Sequence, residues 1–305
     1  MDKIVNIPTV MDYDAHWGIA NRHPWVNVVE GSQIDRQIPN CRKNFGIYVM
    51  FLKDARCANP LHYGRNTYDY QENRLVFVSP GQVFGHPTDG STYRTKGWCL
   101  YFSPELLRHT QLGRHMRDYT FFSYNVNEAL HLSSEERNLV IDCLKKINDE
   151  IEGCSDRHSN AIIASAITLL LNYCTRFYDR QFSTRKQANR DVLSRFEELL
   201  DSYFASDNPR RLGTPTVAWC AGQLHLSSNY FGDLIKKRDR QVSQEYVQQK
   251  IVDTAKDLLW ETGKTISEIA YALGYQYPQY FSRAFKKAVG CTPCEYRAAR
   301  QKASH

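Results

Sequence analysis

Long uninterrupted apolar runs are missing from this chain. The longest, from Ala161 to Leu171, is broken by Ser165 and Thr168. It is shorter than the roughly 20 apolar residues a bilayer span requires, so no membrane association is expected. The opening stretch, MDKIVNIPTVMDYDAH, is acidic and has no apolar core of a secretory leader, so a cytoplasmic location is expected. The 9 cysteines are odd in number and mostly scattered, a pattern of reduced thiols and not of a disulfide framework. No Gly-rich phosphate loop, nucleophile elbow or paired-carboxylate motif is found, so no catalytic residue and no cofactor is assigned. His86 in SPGQVFGHPTDG stands without the second histidine, the glutamate and the further histidine of a metal-binding barrel enzyme, so no metal site is expected. Cys291-x-x-Cys294 lacks a second metal pair and the strand–helix setting of a redox motif, and is read as chance.

What is present fits a soluble globular chain. Its 305 residues leave room for about two domains, each able to bury a core. Charge is divided unevenly. Residues 181–305 carry 19 Lys and Arg against 13 Asp and Glu, whereas residues 1–180 carry 20 of each. The whole excess of +6 therefore lies in the second part, a modest footprint for a polyanionic partner.

Residues 1–130 read as strands. FGIYVMFLK (Phe45–Lys53), NRLVFVSPGQVF (Asn73–Phe84) and GWCLYFSPELL (Gly97–Leu107) are rich in aromatic and β-branched residues and are separated by Gly-bearing turns. Short strands at this spacing predict a small antiparallel barrel or jelly roll. Tyr48, Phe77, Phe84, Trp98 and Tyr101 are expected in its core, with a pocket lining as the other reading. Helices follow. A capping box at Ser133–Glu136 opens one, with Leu139, Val140, Cys143, Leu144, Ile147 and Ile151 at helical spacing. A second, from about Asn160 to Tyr178, is apolar nearly all round and requires burial on several sides, by the barrel and by a partner subunit. A third, Asp191 to Phe204, buries Val192, Phe196, Leu199, Leu200 and Tyr203. Ser206–Pro215 then reads as an inter-domain linker.

The last ninety residues contain one helical pattern twice. Thr216–Tyr246 and Thr265–Tyr296 align through Val217 with Ile266, Cys220-Ala221 with Ile269-Ala270, and Leu224 with Leu273. They align further through Tyr230-Phe231 with Tyr280-Phe281, Lys236-Lys237 with Lys286-Lys287, and Glu245-Tyr246 with Glu295-Tyr296. Two copies are too few for a solenoid and fit a paired DNA-reading unit. The first copy is expected to start on a Thr214 cap with Pro215 at the first helical position, the second on a Thr265/Glu268 capping box. Gly274 stands at the turn of the second copy, where a positive φ is easy, and His225 at the same place in the first. In each following helix one face is apolar: Phe231, Leu234 and Ile235, or Phe281, Ala284 and Phe285. Opposite it stand Asn229 with Asp233, and Gln279 with Arg283, spaced so that they project together. In a major groove Gln reads adenine and Arg reads guanine. These four are the candidate base-reading residues; Ser228, Lys236, Lys237, Tyr280, Lys286 and Lys287 are the candidate phosphate contacts. A capping motif from Thr292 to Glu295 starts a final helix, whose Arg297 reaches either a phosphate or a helix carbonyl. A connecting helix from about Ser243 to Trp260 would span roughly 27 Å and hold the reading helices about one DNA turn apart.

ISEIAYALGYQYPQYFSRAFKKAVGCTPCEYR carries I-x-x-I-A-x-x-x-G-[FY], F-x-x-x-F-K-K and G-x-[ST]-P-x-x-[YF]-R. On these motifs the segment from about Phe196 to Arg300 resembles the AraC/XylS-type transcriptional regulators. The first copy is looser, with Arg238–Gln241 in place of an E-T-G-like turn. The resemblance implies two helix-turn-helix subdomains on a long helix, promoter DNA and RNA polymerase as partners, and a cupin-like N-terminal sensing domain. It also implies a dimer through helices within 133–180, and activation as the commoner role. The expected fold is α+β and multidomain: a cupin-like β-barrel sensor (1–130), a helical dimerisation and connecting segment (131–205) and an all-α double helix-turn-helix domain (206–305). The expected function is a sequence-specific transcription regulator, not an enzyme, a homodimer controlled through its N-terminal domain by a small-molecule effector. The alternative is a cupin-like enzyme fused to a DNA-binding module.

Overall fold

The structure is a computed structural model. It describes every residue except 1–3, 54–61, 64–65, 68–72, 86–87, 126–127, 154–155, 185, 240–242, 262 and 304–305. His86 and part of the Arg238–Gln241 turn therefore lie outside the described residues. The chain divides into two compact units, Met1–Thr184 and Arg185–His305.

The first unit runs β1 (Ile4–Ile7), α1 (Val10–Trp17), β2 (Val26–Glu30), β3 (Ile38–Pro39), β4 (Arg42–Phe45), β5 (Tyr48–Lys53), β6 (His62–Tyr63), β7 (Asn66–Thr67) and β8 (Arg74–Val78). It continues through β9 (Val83–Gly85), β10 (Thr92–Tyr93), β11 (Trp98–Phe102), α2 (Gln111–His115), β12 (Leu130–His131), α3 (Ser134–Glu152) and α4 (Ser159–Thr184). Five strands form an antiparallel sheet in the order β12-β8-β5-β11-β2, and a smaller sheet has the order β1-β4-β9. Among the described residues no sheet closes into a barrel; the five-stranded sheet is open at β12 and β2.

Both faces of that sheet are buried, which is why its strands read as continuous apolar runs. One face, with Val29, Val49, Val78, Cys99 and Tyr101, joins a core containing Tyr13 and Trp17 of α1 and Phe45 of β4. Side chains one residue along point the other way. Among them Phe77 lies 6.3 Å, ring to ring, from Tyr178 of α4. The three runs expected as single strands are interrupted. Phe45 ends β4 before β5 begins, a Pro80-Gly81 turn divides β8 from β9, and a short 3-10 turn at Pro104–Leu107 follows β11. Of the expected core aromatics, Phe77 and Tyr101 are buried, whereas Tyr48, Phe84 and Trp98 are half-buried.

Helix α1 falls in a region expected to be all strand. Its signal was present: Thr9 and Asp12 form a capping box, and Val10, Tyr13 and Trp17 lie on one face. Asp14, buried on α1, accepts from Asn21 Nδ2 (2.7 Å), Asn27 Nδ2 (2.8 Å) and the Tyr101 hydroxyl, fixing the helix to the sheet.

Helix α3 opens on the expected Ser133/Glu136 capping box and buries Val140, Cys143, Leu144, Ile147 and Ile151. Helix α4 is longer than expected, at 26 residues, and by length and composition it is apolar enough to cross a membrane. A core helix has the same length and composition, and one such helix is weak evidence of a membrane span. The helix packs on α3 and β12, with Ile163, Ile167, Leu170, Leu171 and Cys174 fully buried. Ile162 and Leu169, on its other side, are 48% and 44% exposed.

The second unit is all helix: α5 (Lys186–Ala205), α6 (Asn208–Leu212), α7 (Val217–Gln223), α8 (Ser228–Asp239), α9 (Ser243–Glu261), α10 (Ile266–Ala272), α11 (Pro278–Val289) and α12 (Pro293–Ala303). The expected boundary at 206 differs from the observed one, and Ser206–Pro215 is no linker. Its middle forms α6, and the Tyr203 hydroxyl donates to the Gly213 carbonyl at 2.8 Å. Helix α5 belongs to this unit because Phe196 packs edge-on against Phe231 of α8 at 4.9 Å and near Tyr246 of α9 at 5.4 Å. Leu193, which the sequence reading passed over, is buried, while Val192 and Leu199 are half-buried. Phe196→Ala is therefore expected to destabilise the second unit by about 3–5 kcal/mol. Urea unfolding would check this; a loss below about 1 kcal/mol would detach α5 from the unit.

Candidate nucleic-acid interface

Two helix-turn-helix motifs are built alike. In the first, Thr216 caps α7 by accepting from the Trp219 amide at 3.1 Å, so the cap is Thr216 and not Thr214, and Pro215 lies outside the helix. In the second, Thr265 and Glu268 form the expected capping box on α10. Cys220-Ala221 and Ile269-Ala270 are fully buried, as the close crossing of two helices requires. Burial pushes the Cys220 thiol up to about 11, which keeps it an inert apolar filler.

The turns share one hydrogen-bond pattern. Leu226 donates to the Ala221 carbonyl (2.9 Å) and His225 to Gly222 (3.1 Å); Tyr275 donates to Ala270 (3.0 Å) and Gly274 to Tyr271 (3.1 Å). Both are Schellman closures, with the residue after the cap in left-handed conformation. That residue is Gly274 at φ 89° and His225 at φ 59°. A side chain at Gly274 would also lie 2.4 Å from the Gly213 carbonyl carbon and 2.8 Å from the Thr214 nitrogen. The second turn is thus packed backbone to backbone against the segment leading into the first motif.

The reading helices bury the predicted faces. Phe231, Leu234 and Ile235 of α8 are buried, as are Phe281 and Phe285 of α11, while Ala284 is half-buried. Opposite them on α11, Gln279 and Arg283 are exposed, with Tyr280, Lys286 and Lys287. On α8, Ser228, Asn229, Lys236 and Lys237 are exposed. Asp233 is half-buried and engaged within the protein.

The copies differ in their aromatics. Tyr230 is buried, whereas its counterpart Tyr280 is 54% exposed. Tyr277, which sequence reasoning passed over, is equally exposed and meets the Tyr280 ring at 5.7 Å. Its place just before Pro278, at the start of α11, was the available signal.

Behind both motifs runs α9, burying Val247, Ile251, Val252, Ala255 and Leu259 and touching α7, α8, α10, α11 and α12. Of the two alternatives left open for Arg297, the structure shows the helix carbonyl: its Nε donates to the Leu259 carbonyl at 3.3 Å. The Thr292 amide donates to Glu295 at 2.7 Å in the cap of α12.

The two turns make opposite predictions. Gly274→Ala adds left-handed strain of about 1–2 kcal/mol to a backbone clash, and is expected to cost more than about 2 kcal/mol. His225→Gly relieves the same strain against a smaller entropic cost and is expected to stabilise by up to about 1 kcal/mol. Thermal denaturation of both variants checks the pair; equal effects would contradict it.

Comparisons with known proteins agree with this architecture. Residues 220–299 match the helix-turn-helix domain family. The chain is 34% identical over 185 residues to the HTH-type transcriptional activator RhaR of Mannheimia succiniciproducens, covering 60% of this chain and 62% of that one. It is 25% identical over 220 residues to the uncharacterized HTH-type transcriptional regulator YijO of Escherichia coli, covering 72% and 73%. Of the other curated relatives it matches, the chain spans between 11% and 48% of the length. Among solved structures it resembles the C-terminal domain of the two-component response regulator yesN of Fusobacterium nucleatum. There it has 28% identity, 35% of this chain and 98% of that chain covered, and a TM-score of 0.31. The second unit carries an AraC-type helix-turn-helix domain.

Proposed function

We propose that this protein binds promoter DNA sequence-specifically through both helix-turn-helix motifs and regulates transcription there. The observation that carries the proposal is the pair Gln279 and Arg283. Both are exposed, one helical turn apart, on the side of α11 opposite the buried Phe281 and Phe285. On a helix inserted in a major groove they read adenine and guanine edges. Lys286 and Lys287 close the same helix and meet phosphate, with Tyr280 as a further backbone contact and Tyr277 beside it. On α8 the reading pair is Asn229 and Asp233, with Ser228, Lys236 and Lys237 on the backbone. Asp233 fits acceptance from a cytosine amino group; its partial burial makes it the weaker member.

The first unit is the regulatory part in this proposal: a cupin-like sensing domain that takes a small-molecule effector in the cytoplasm and biases DNA binding. Such control requires the effector to prefer one of two states. The regulator acts as a homodimer and, with RNA polymerase as partner, as an activator. Support for the dimer comes from α4, whose exposed Ile162 and Leu169 stand on the side away from α3, with Leu139 of α3 also 39% exposed.

Arg283→Ala is expected to cost about 1–3 kcal/mol on specific sites and little on unrelated sequence. Titrating both DNAs at fixed salt checks this; equal loss on both would reduce Arg283 to a phosphate contact. Leu169→Glu is expected to shift the protein toward monomer in analytical ultracentrifugation, with weaker binding to paired sites; a variant that stays dimeric would overturn this interface, and a wild-type monomer at high concentration would overturn the dimer.

A further inference from the structure

Lys43 is the only lysine or arginine that is buried among the described residues. It stands on β4 on the same side as Phe45, so it points inward while Arg42 points out. Across the sheet it pairs in register with Val5 of β1 and Phe84 of β9. None of the ion pairs among the described residues includes it. Burial pushes its pKa down, and the Cys41 thiol, two residues back, is the neighbour that favours its charged form. The other buried charges are better satisfied: Asp14 accepts from three side chains, and Glu128 accepts from the Asn125 amide at 2.6 Å. A buried ammonium without a counter-charge is costly, and such groups mark sites where an anion completes the arrangement.

Two more donors stand near it without an acid. His16, on α1, has its Nε2 buried and without a partner. Burial first, then the charges of Lys43 and Arg36, push this histidine down to about 4, so the imidazole is neutral near pH 7. Arg36 folds over the end of α1, donating to the His16 carbonyl, and Gly18 leaves room for its guanidinium. The surroundings are apolar. The His16 ring lies 6.1 Å from Tyr13 and 6.4 Å from Trp17, and Phe45 adjoins Tyr13 at 5.3 Å. A buried ammonium beside a neutral imidazole suits a weakly hydrated carboxylate better than a fully hydrated inorganic ion.

We propose that Lys43, His16 and Arg36 form a site for the carboxylate of a small organic acid. The regulatory meaning of the site rests on the reading of the first unit as a sensor; the site itself does not.

Thermal unfolding of the full-length protein tests this with sodium butyrate and sodium benzoate as probes. The controls are sodium chloride at equal ionic strength, benzamide and inorganic phosphate. At least one carboxylate at about 10 mM is expected to raise the unfolding temperature by about 3 °C or more, with chloride and benzamide inactive. Lys43→Met is expected to unfold at a higher temperature than wild type without probe, since it removes an unpaired buried charge, and to lose the response. His16→Gln, which keeps Lys43, is expected to weaken the response about tenfold, so a misfolded Lys43 variant does not decide the matter. Carboxylates no better than chloride, a response shared by benzamide, or an effect of phosphate alone would overturn the proposal. Filter binding to a specific DNA separates the two readings. Carboxylate binding that leaves DNA affinity unchanged keeps the site and overturns the sensor. Specific DNA binding by a protein that takes no carboxylate does the reverse.

Discussion

One helix has to serve two motifs, and the second unit is arranged around that demand. Helix α9 presents Val247, Ile251, Val252, Ala255 and Leu259 to both helix-turn-helix motifs at once. At about 1.5 Å per residue its 19 residues span roughly 28 Å. Polar clasps hold its ends: the Tyr246 hydroxyl donates to Glu197 at 2.8 Å, and Arg297 donates to the Leu259 carbonyl. Gln248 reaches the Tyr275 hydroxyl at 3.1 Å, tying the second turn to the same helix. Because α8 and α11 both pack on α9, their placement is set by that packing, and a fixed spacing is what the proposed reading of successive grooves requires.

The two motifs share a backbone but not a surface. Their caps, turns and buried alanines coincide, because helix-turn-helix packing leaves few other solutions. Their exposed chemistry diverges. Helix α11 offers Gln279, Arg283 and two exposed tyrosines, whereas α8 offers Asn229, a half-buried Asp233 and an inward Tyr230. Under the proposed function the second motif would supply most of the base contacts, and the first would add phosphate contacts and a weaker preference.

Much of this was legible in the sequence. The repeat exposed both motifs because period 3.6 and the capping residues agree: Thr265 with Glu268, Ser133 with Glu136, Thr292 with Glu295. The boundaries were harder. Thr214-Pro215 resembles a helix start, yet Thr216 has the free hydroxyl at the right place, so a local pattern lost to its neighbour. Ser206–Pro215 has linker composition, but Phe196 and Tyr203 form tertiary contacts that no local pattern announces. A closed barrel was inferred from strand spacing, and spacing cannot tell a closed sheet from an open one buried on both faces. Helix α1 was missed because its apolar residues lie among strand-like neighbours. The unpaired Lys43 was invisible for a plainer reason: only the register of β4 shows that it points inward.

The central claim is that two motifs on one rigid helix read two adjacent stretches of DNA. The most direct measurement is selection of duplexes from a random pool by the full-length protein at two salt concentrations, with the bound sequences determined. The account predicts a motif with two elements about one helical turn apart that survives the higher salt, with the stronger element altered by Arg283→Ala. Bound sequences without a shared motif, released together as salt rises, would mean that only phosphate is contacted and would contradict it.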